Sequence, residues 1–343
     1  MDECNTQSER SQTVFVGLDY ATAFVQVCVL DARGRQLGNR RCANDWLALA
    51  TYVAGFGTRV RAAIEACGGT ADLADQLLHE AGWSIDLAHP GYVQRMKGNP
   101  DKTDFTDARM LADLVRVGYL PRVWLAPQAV RELRRLVRYR QDLANRQRAL
   151  KLRVGALLRE HRVFGPGRLW SKAWRAWLST VALPTQSRWI LERTLDELRE
   201  VAQRLATAAA QLEQVTASDV AVQRLRQFRG IGLLTACVLR AEIGDPTRFR
   251  NGKQLARFCG LTPRNASSGE RQADAGLIRA CNNLLRATLI EAAHRLKRLD
   301  PRWQAFAAQL KARGKPGSVI AAAVANRWVR GLYYDWCAVR SAA

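Results

Sequence analysis

Two aspartates three residues apart, Asp104 and Asp107, sit in the stretch Lys102-Thr103-Asp104-Phe105-Thr106-Asp107-Ala108-Arg109. The stretch runs into Met110-Leu111-Ala112-Asp113-Leu114. It reads as the first turns of a helix, with Leu111 and Leu114 on the apolar side. At i and i+3 the two carboxylates project from one face. Held that close, they repel each other unless a cation lies between them. A hard divalent cation such as Mg²⁺ takes carboxylate oxygens and keeps positions for substrate phosphates. Acids also suit a helix start through the macrodipole. Taken alone, therefore, the pair reads more simply as a solvated helix start, and the rest of the chain has to decide.

Further acids fall at telling places. Thr13-Val14-Phe15-Val16-Gly17-Leu18-Asp19 is a β-rich run ending in an acid, and Ala23 to Leu30 follows as a second strand. Asp31-Ala32-Arg33-Gly34 signals a turn, and Arg35 to Cys42 forms a third strand, which completes a meander. Asp45 caps a helix through about Phe56. Val60 to Glu65 is a buried strand that again ends in an acid. Ala71 to Ala81 is helical, Ser84 to Ala88 is a short strand, and Pro90 opens another helical piece. A meander followed by alternating strands and helices is the order of an RNase H-like α/β domain. In that order Asp19, Glu65, Asp104 and Asp107 would converge. The plainer alternative makes Glu65 a surface acid at a strand end and Asp19 a turn former.

Lys and Arg number 53 against 31 Asp and Glu, a formal charge of +22. Such an excess points to a polyanionic partner, nucleic acid first and a membrane surface second. No apolar run is long enough to span a bilayer, and no signal-peptide pattern opens the chain. None of the eight cysteines forms Cys-x-x-Cys, so they read as reduced core thiols of a cytoplasmic protein rather than as a zinc site. The four histidines show no arrangement suited to a catalytic dyad.

From Gln128 the pattern changes. Leu136, Leu143, Leu150 and Leu157 recur every seven residues, with Leu133 and Val154 between them, a coiled-coil seam. The other faces carry Arg134, Arg135, Arg138, Arg146, Lys151 and Arg153, so weakly balanced by acids that phosphate contact is the favoured reading over a merely solvated face. A gap with Gly165, Pro166 and Gly167 precedes the cluster Trp170, Trp174 and Trp177. A second helix runs from about Trp189 to Val215, which suggests an antiparallel hairpin. Beyond Asp219, Phe228-Arg229-Gly230-Ile231-Gly232 resembles a turn between helices. Gly230 and Gly232 there could let backbone N–H groups approach a phosphate, or could simply make the turn. Helices ending near Gly244 and Cys259 lead to a polar loop, Gly260 to Gln272. A helix then resumes around Leu277 and runs towards Leu299, carrying Arg279 and Arg286.

Four passages together resemble the DEDD-motif insertion-sequence transposases, which are relatives of the Piv-type DNA invertases and are known as bridge-RNA-guided serine recombinases. They are Val16-Gly17-Leu18-Asp19, Ala63-Ile64-Glu65-Ala66-Cys67-Gly68, Lys102 to Ala108, and Gly260-Leu261-Thr262-Pro263 followed by Ser267-Ser268-Gly269. The resemblance covers nearly the whole chain. The polar composition of 1–12 predicts a disordered start, and the resemblance implies a RuvC-like domain over 13–127 behind it. It further implies a coiled-coil hairpin over 128–218 and a mostly helical C-terminal transposase domain over 219–343. It makes Asp19, Glu65, Asp104 and Asp107 the Mg²⁺ ligands and Ser268 the nucleophile, with Ser267 the adjacent alternative. It also implies DNA ends and target as substrates, a noncoding guide RNA, a homodimer or homotetramer, and nucleoid association when the protein acts. Two departures stand out: Glu270-Arg271-Gln272 replaces the usual basic run, and Cys281-Asn282 replaces Gly-Asn. Two other readings remain, a RuvC-like nuclease or junction resolvase using activated water, and a basic architectural or RNA-binding protein on a degenerate scaffold.

Overall fold

A computed structural model describes residues 13–96, 103–265 and 274–341. The chain folds as two compact units, Met1–Gln128 and Ala129–Ala343.

In the first unit, β1 (Thr13–Tyr20), β2 (Phe24–Leu30) and β3 (Gln36–Ala43) form the antiparallel meander. Strands β4 (Arg59–Glu65) and β5 (Ser84–Ala88) add parallel to β1, and the short β6 (Arg122–Val123) closes the edge antiparallel. The order is β3-β2-β1-β4-β5-β6. Strand β1 is apolar at nearly every position because the sheet is covered on both faces. Val14, Val16 and Leu18 face helices α1 (Trp46–Ala54) and α2 (Thr70–His79) through Leu49, Val53, Leu73 and Leu77. Phe15 points the other way, with Cys28, Ala63 and Ala88. There it meets Val93 of α3 (Pro90–Met96) and Ala108, Leu111 and Val115 of α4 (Asp104–Arg116).

Helix α4 starts where a capping box stops the chain from fraying. Thr103 Oγ1 accepts from the Thr106 backbone N–H at 3.2 Å, and the Thr103 N–H donates to Thr106 Oγ1 at 3.3 Å. The helix lies unusually close to β1. A Cβ on Gly17 would stand 1.9 Å from the Ala108 carbonyl oxygen and 2.5 Å from the Ala112 nitrogen. Only a glycine, opposed by alanines one helical turn apart, allows this approach.

The second unit begins with the hairpin of α5 (Gln128–Glu160) and α7 (Thr185–Val215). Leu133 and Val137 share a cluster with Leu212, Leu143 and Leu150 with Val201 and Ala208, and Val154 and Leu158 with Leu191. The helices are therefore antiparallel. The glycine-rich gap at Gly165–Gly167 is outside any helix, and the tryptophan cluster after it forms a short helix, α6 (Lys172–Thr180), that the sequence reading does not include. It starts at Ser171, whose hydroxyl accepts from Trp174 N–H at 3.2 Å, and it buries Trp174 and Leu178 against the hairpin. The remaining helices are α8 (Val220–Gln227), α9 (Leu233–Ile243), α10 (Gly252–Phe258), α11 (Asn283–Leu299), α12 (Pro301–Ala312) and α13 (Gly317–Ser341). Helix α9 is apolar almost all round and lies at the centre of their core. No helix among the described residues is long and apolar enough to cross a membrane.

One sequence expectation fails here. The helix expected from Leu277 starts at Asn283. Residues Asp274–Leu277 (β8) instead pair with Pro263–Asn265 (β7) as a small antiparallel hairpin. Gly276, at φ +66°, suits this extended return and not a helix. The helix waits for Asn282, whose side chain accepts from Leu285 N–H at 3.0 Å. Arg279 thus lies in the turn before α11, not on it.

Glu242 is the buried carboxylate of α9. Its side chain is 3% exposed and is met bidentately by Arg138, at 2.9 and 3.0 Å. Arg134 Nε stands 3.7 Å away and donates to the Ala241 carbonyl at 2.9 Å. Asn282 Nδ2 donates to the same carboxylate at 2.6 Å. Hydrogen bonding to Glu242 raises the Arg138 pKa, whereas burial lowers that of Arg134.

Three variants test this packing. Gly17→Ala overfills the β1–α4 contact and lowers the stability of the first unit by about 1–3 kcal/mol in chemical denaturation; an unchanged midpoint would contradict the close approach. Glu242→Ala strips a buried carboxylate from its arginines. It should cost about 2–4 kcal/mol, the discount reflecting a half-exposed Arg138. By contrast, Glu132→Ala, which removes the exposed partner of Arg135, should cost under about 1 kcal/mol.

Candidate active site

The sheet places the first two acids side by side. Leu18 pairs with Ile64 in the parallel β1–β4 ladder, so Asp19 and Glu65 are the next residues of neighbouring strands. Alternation puts Phe15, Gly17 and Asp19 on one face, with Ala63 and Glu65, and α4 covers that face. The end of β4 is held by buried Thr70, whose hydroxyl accepts from Cys67 N–H and donates to Cys67 C=O, both at 3.0 Å. Desolvation pushes the Cys67 thiol up, and the charges of Glu65 and Asp19 add to the shift. Both carboxylates therefore act on one neighbourhood.

Helix α4 brings the second pair. Asp107 immediately precedes Ala108, the residue in backbone contact with Gly17, and is 7% exposed. Asp104 is the first residue of the helix and is half-exposed, its Oδ2 3.1 Å from the Arg41 guanidinium. Arg41 lies in the same cross-strand row as the first acid, since Asp19 pairs with Gln26 and Gln26 with Arg41. Two more bonds from β3 tie the helix down. Asn39 Nδ2 donates to the Phe105 carbonyl at 3.1 Å, and Arg109 donates to Gln36 Oε1 at 3.2 Å. Gln26 Nε2 in turn donates to Asn39 Oδ1 at 2.6 Å.

Four carboxylates from three neighbouring elements form an all-oxygen donor set that suits a hard divalent cation. In kind the residues suit such an ion, and the sheet and α4 bring their backbones to one end of the unit. Their side chains are not drawn into a cluster, and among the described residues no group of three or more His, Cys, Asp or Glu could hold a metal. Asp104 instead has a guanidinium as its counter-ion.

Ser267 and Ser268 lie outside the described residues, as does Lys102. The stems of their loop are well tied. Ile278 N–H donates to the Thr262 carbonyl at 3.0 Å, Asn326 Nδ2 donates to the Leu261 carbonyl at 3.0 Å, and Arg286 donates to the Ile278 carbonyl. Gly260 takes φ +70° where a Cβ would lie 2.5 Å from that of Cys281.

The residues expected to touch nucleic acid divide. Arg134 and Arg138 serve Glu242. Arg146 pairs with Glu197 across the hairpin at 2.7 Å, and Arg135 pairs with Glu132. Lys151 lies over the Trp170 ring at 5.6 Å. Arg153 and Arg279 are exposed. Gly230 makes the α8–α9 turn at φ +84°, with its carbonyl accepting from Arg295, and Gly232 is the residue before α9. Sequence alone marks neither Arg41 nor Glu242, and it marks Asn282 only as part of a departure from the family pattern. Glu242 did leave a trace, as an acid inside a mostly apolar helix that must find partners.

Comparisons with known proteins identify the family. Residues 16–163 match a family model described as a transposase with the DEDD motif of IS110, and residues 222–308 match the transposase IS116/IS110/IS902 family. A protein named probable family 20 transposase from Pseudomonas aeruginosa is 31% identical, over 79% of this chain and 82% of its own. The transposase for insertion sequence element IS1111A of Coxiella burnetii is 27% identical, over 82% and 78%. The insertion element IS110 uncharacterized 43.6 kDa protein of Streptomyces coelicolor is 26% identical, over 88% of each. The chain therefore belongs to the IS110 family of insertion-sequence DNA transposases.

Proposed function

We propose that this transposase cuts and rejoins DNA through a serine nucleophile, Ser268 or the adjacent Ser267, working with an acidic site of RNase H-like, RuvC-like architecture. The observation that carries the reading is the sheet register. It sets Asp19 beside Glu65 on the face covered by α4, whose first turn holds Asp104 and Asp107. The meander followed by parallel strands supports the RNase H-like assignment.

In the proposed reaction the serine Oγ attacks a DNA phosphorus. The Oγ–P bond forms as one P–O bond to DNA breaks, the serine proton is lost, and the displaced DNA oxygen leaves as a hydroxyl. A hydroxyl on a second DNA end then attacks the phosphoserine and frees the serine, so no bond energy is lost to water. Asp19, Glu65, Asp104 and Asp107 would hold Mg²⁺, which when bound offsets the charge of the phosphoryl group and makes a nearby hydroxyl more acidic. Buried Asp107 keeps its place through α4, whereas half-exposed Asp104 can reorient.

Target choice falls to a noncoding RNA that pairs with the DNA. A formal charge of +22 supports a protein that holds nucleic-acid backbone rather than reading base edges. Assembly as a homodimer or homotetramer is part of the same proposal.

Recombination assays separate the possibilities. Ser268→Ala or Ser267→Ala, whichever removes the nucleophile, should abolish the covalent protein–DNA adduct and reduce recombination by about a thousandfold or more. Asp104→Ala should suppress adduct and product together. An adduct that survives in both serine variants would move the nucleophile elsewhere. Hydrolysed DNA from both, with no adduct in the parent chain, would make the protein a nuclease using activated water.

A further inference from the structure

The Arg41–Asp104 pair stands where the acidic site would need Asp104 for itself. Arg41 shares the cross-strand row of Asp19 through Gln26, so β3 delivers a fixed positive charge to the edge of that site. The guanidinium lies 3.1 Å from Asp104 Oδ2, and both side chains are well exposed, at 64% and 46%. Water screens such a pair, and it exchanges readily. While paired, the guanidinium also stacks on the face of Phe24, whose ring centroid is 4.3 Å away, a contact that does not depend on Asp104. Nor does the pair dock the helix. Asn39 on the Phe105 carbonyl, Arg109 on Gln36 and the Gly17–Ala108 contact hold α4 without it.

We infer that Arg41 is a positioning residue for the acidic site, an internal counter-cation that holds the Asp104 carboxylate until a divalent ion displaces it. This rests on the proposed metal-binding role of the four acids. The four acids are carried to one end of the sheet, yet the Asp104 carboxylate is held by a guanidinium. Arg41 competes with the ion for one carboxylate, so the site assembles only when the ion supplies the charge that Arg41 gives up. After release the guanidinium stays within reach of a phosphodiester brought to the same edge.

Mn²⁺ binding to the full chain, followed by titration calorimetry, tests this. Arg41→Gln should bind Mn²⁺ two- to fivefold more tightly than the parent, whereas Arg41→Lys, which keeps the charge, should stay within twofold of it. In an Asp104→Asn background the gain from Arg41→Gln should vanish. Thermal melts of each variant confirm that folded protein is being compared, and Arg41→Met gives a second neutral variant if Arg41→Gln folds poorly. Equal or weaker binding by folded neutral variants overturns the role of Arg41 alone. If neither the parent chain nor the neutral variants bind Mn²⁺, the metal reading of the four acids fails and this inference falls with it.

Discussion

At Gly17 the backbone of β1 and the backbone of α4 touch, with no room for a side chain between them. The placement of the acids depends on that contact. With α4 seated on Ala108 and Ala112, its first turn comes to the end of the sheet where β4 finishes in Glu65 and Asp19 is the last residue but one of β1. A helix held off by one methyl group would carry Asp107 away from the strand that bears Asp19. The capping box at Thr103 and Thr106 does complementary work, because it fixes where the helix starts and so which face Asp104 and Asp107 share. The hydrogen bonds from β3 then set the helix's rotation over the sheet.

The second unit manages charge differently. Its long basic helix looks from sequence like a single surface for phosphates. Part of that charge is internal: Arg134 and Arg138 neutralise a carboxylate buried in α9, and Arg146 crosses to Glu197 on the other arm of the hairpin. Glu242 also takes a hydrogen bond from Asn282, the residue that starts α11 just beyond the β7–β8 hairpin. One buried acid therefore links the base of the coiled coil, the central helix and the stem of the serine loop within this unit.

Local signals were the readable ones. The meander, the strand ending at Glu65, the Asp45 cap and the heptad seam all depend on residues close in sequence. Each appears in the structure within a few residues of its expected bounds. The four acids could be ordered along the elements because strand ends and helix starts are local. What sequence missed is non-local. Strands β7 and β8 are too short to show alternation, and only their mutual pairing makes them strands. Helix α6 was obscured by the glycines and proline before it, although Ser171 is a sound cap. Arg41 looked like any arginine on an edge strand, because its meaning comes from the register across β2 to Asp19. Along α5 nothing local distinguishes the arginines that face Glu242 from their neighbours.

The central claim is that the ends of β1 and β4 and the start of α4 make one cation-binding centre. Anomalous diffraction from crystals of the protein grown or soaked with Mn²⁺ tests it most directly. The account predicts a peak ligated by carboxylates of Asp19, Glu65 and Asp107, with Asp104 turned from Arg41 towards it. Mn²⁺ bound elsewhere in well-ordered crystals, with Asp104 still on Arg41 and no peak among those carboxylates, would contradict it.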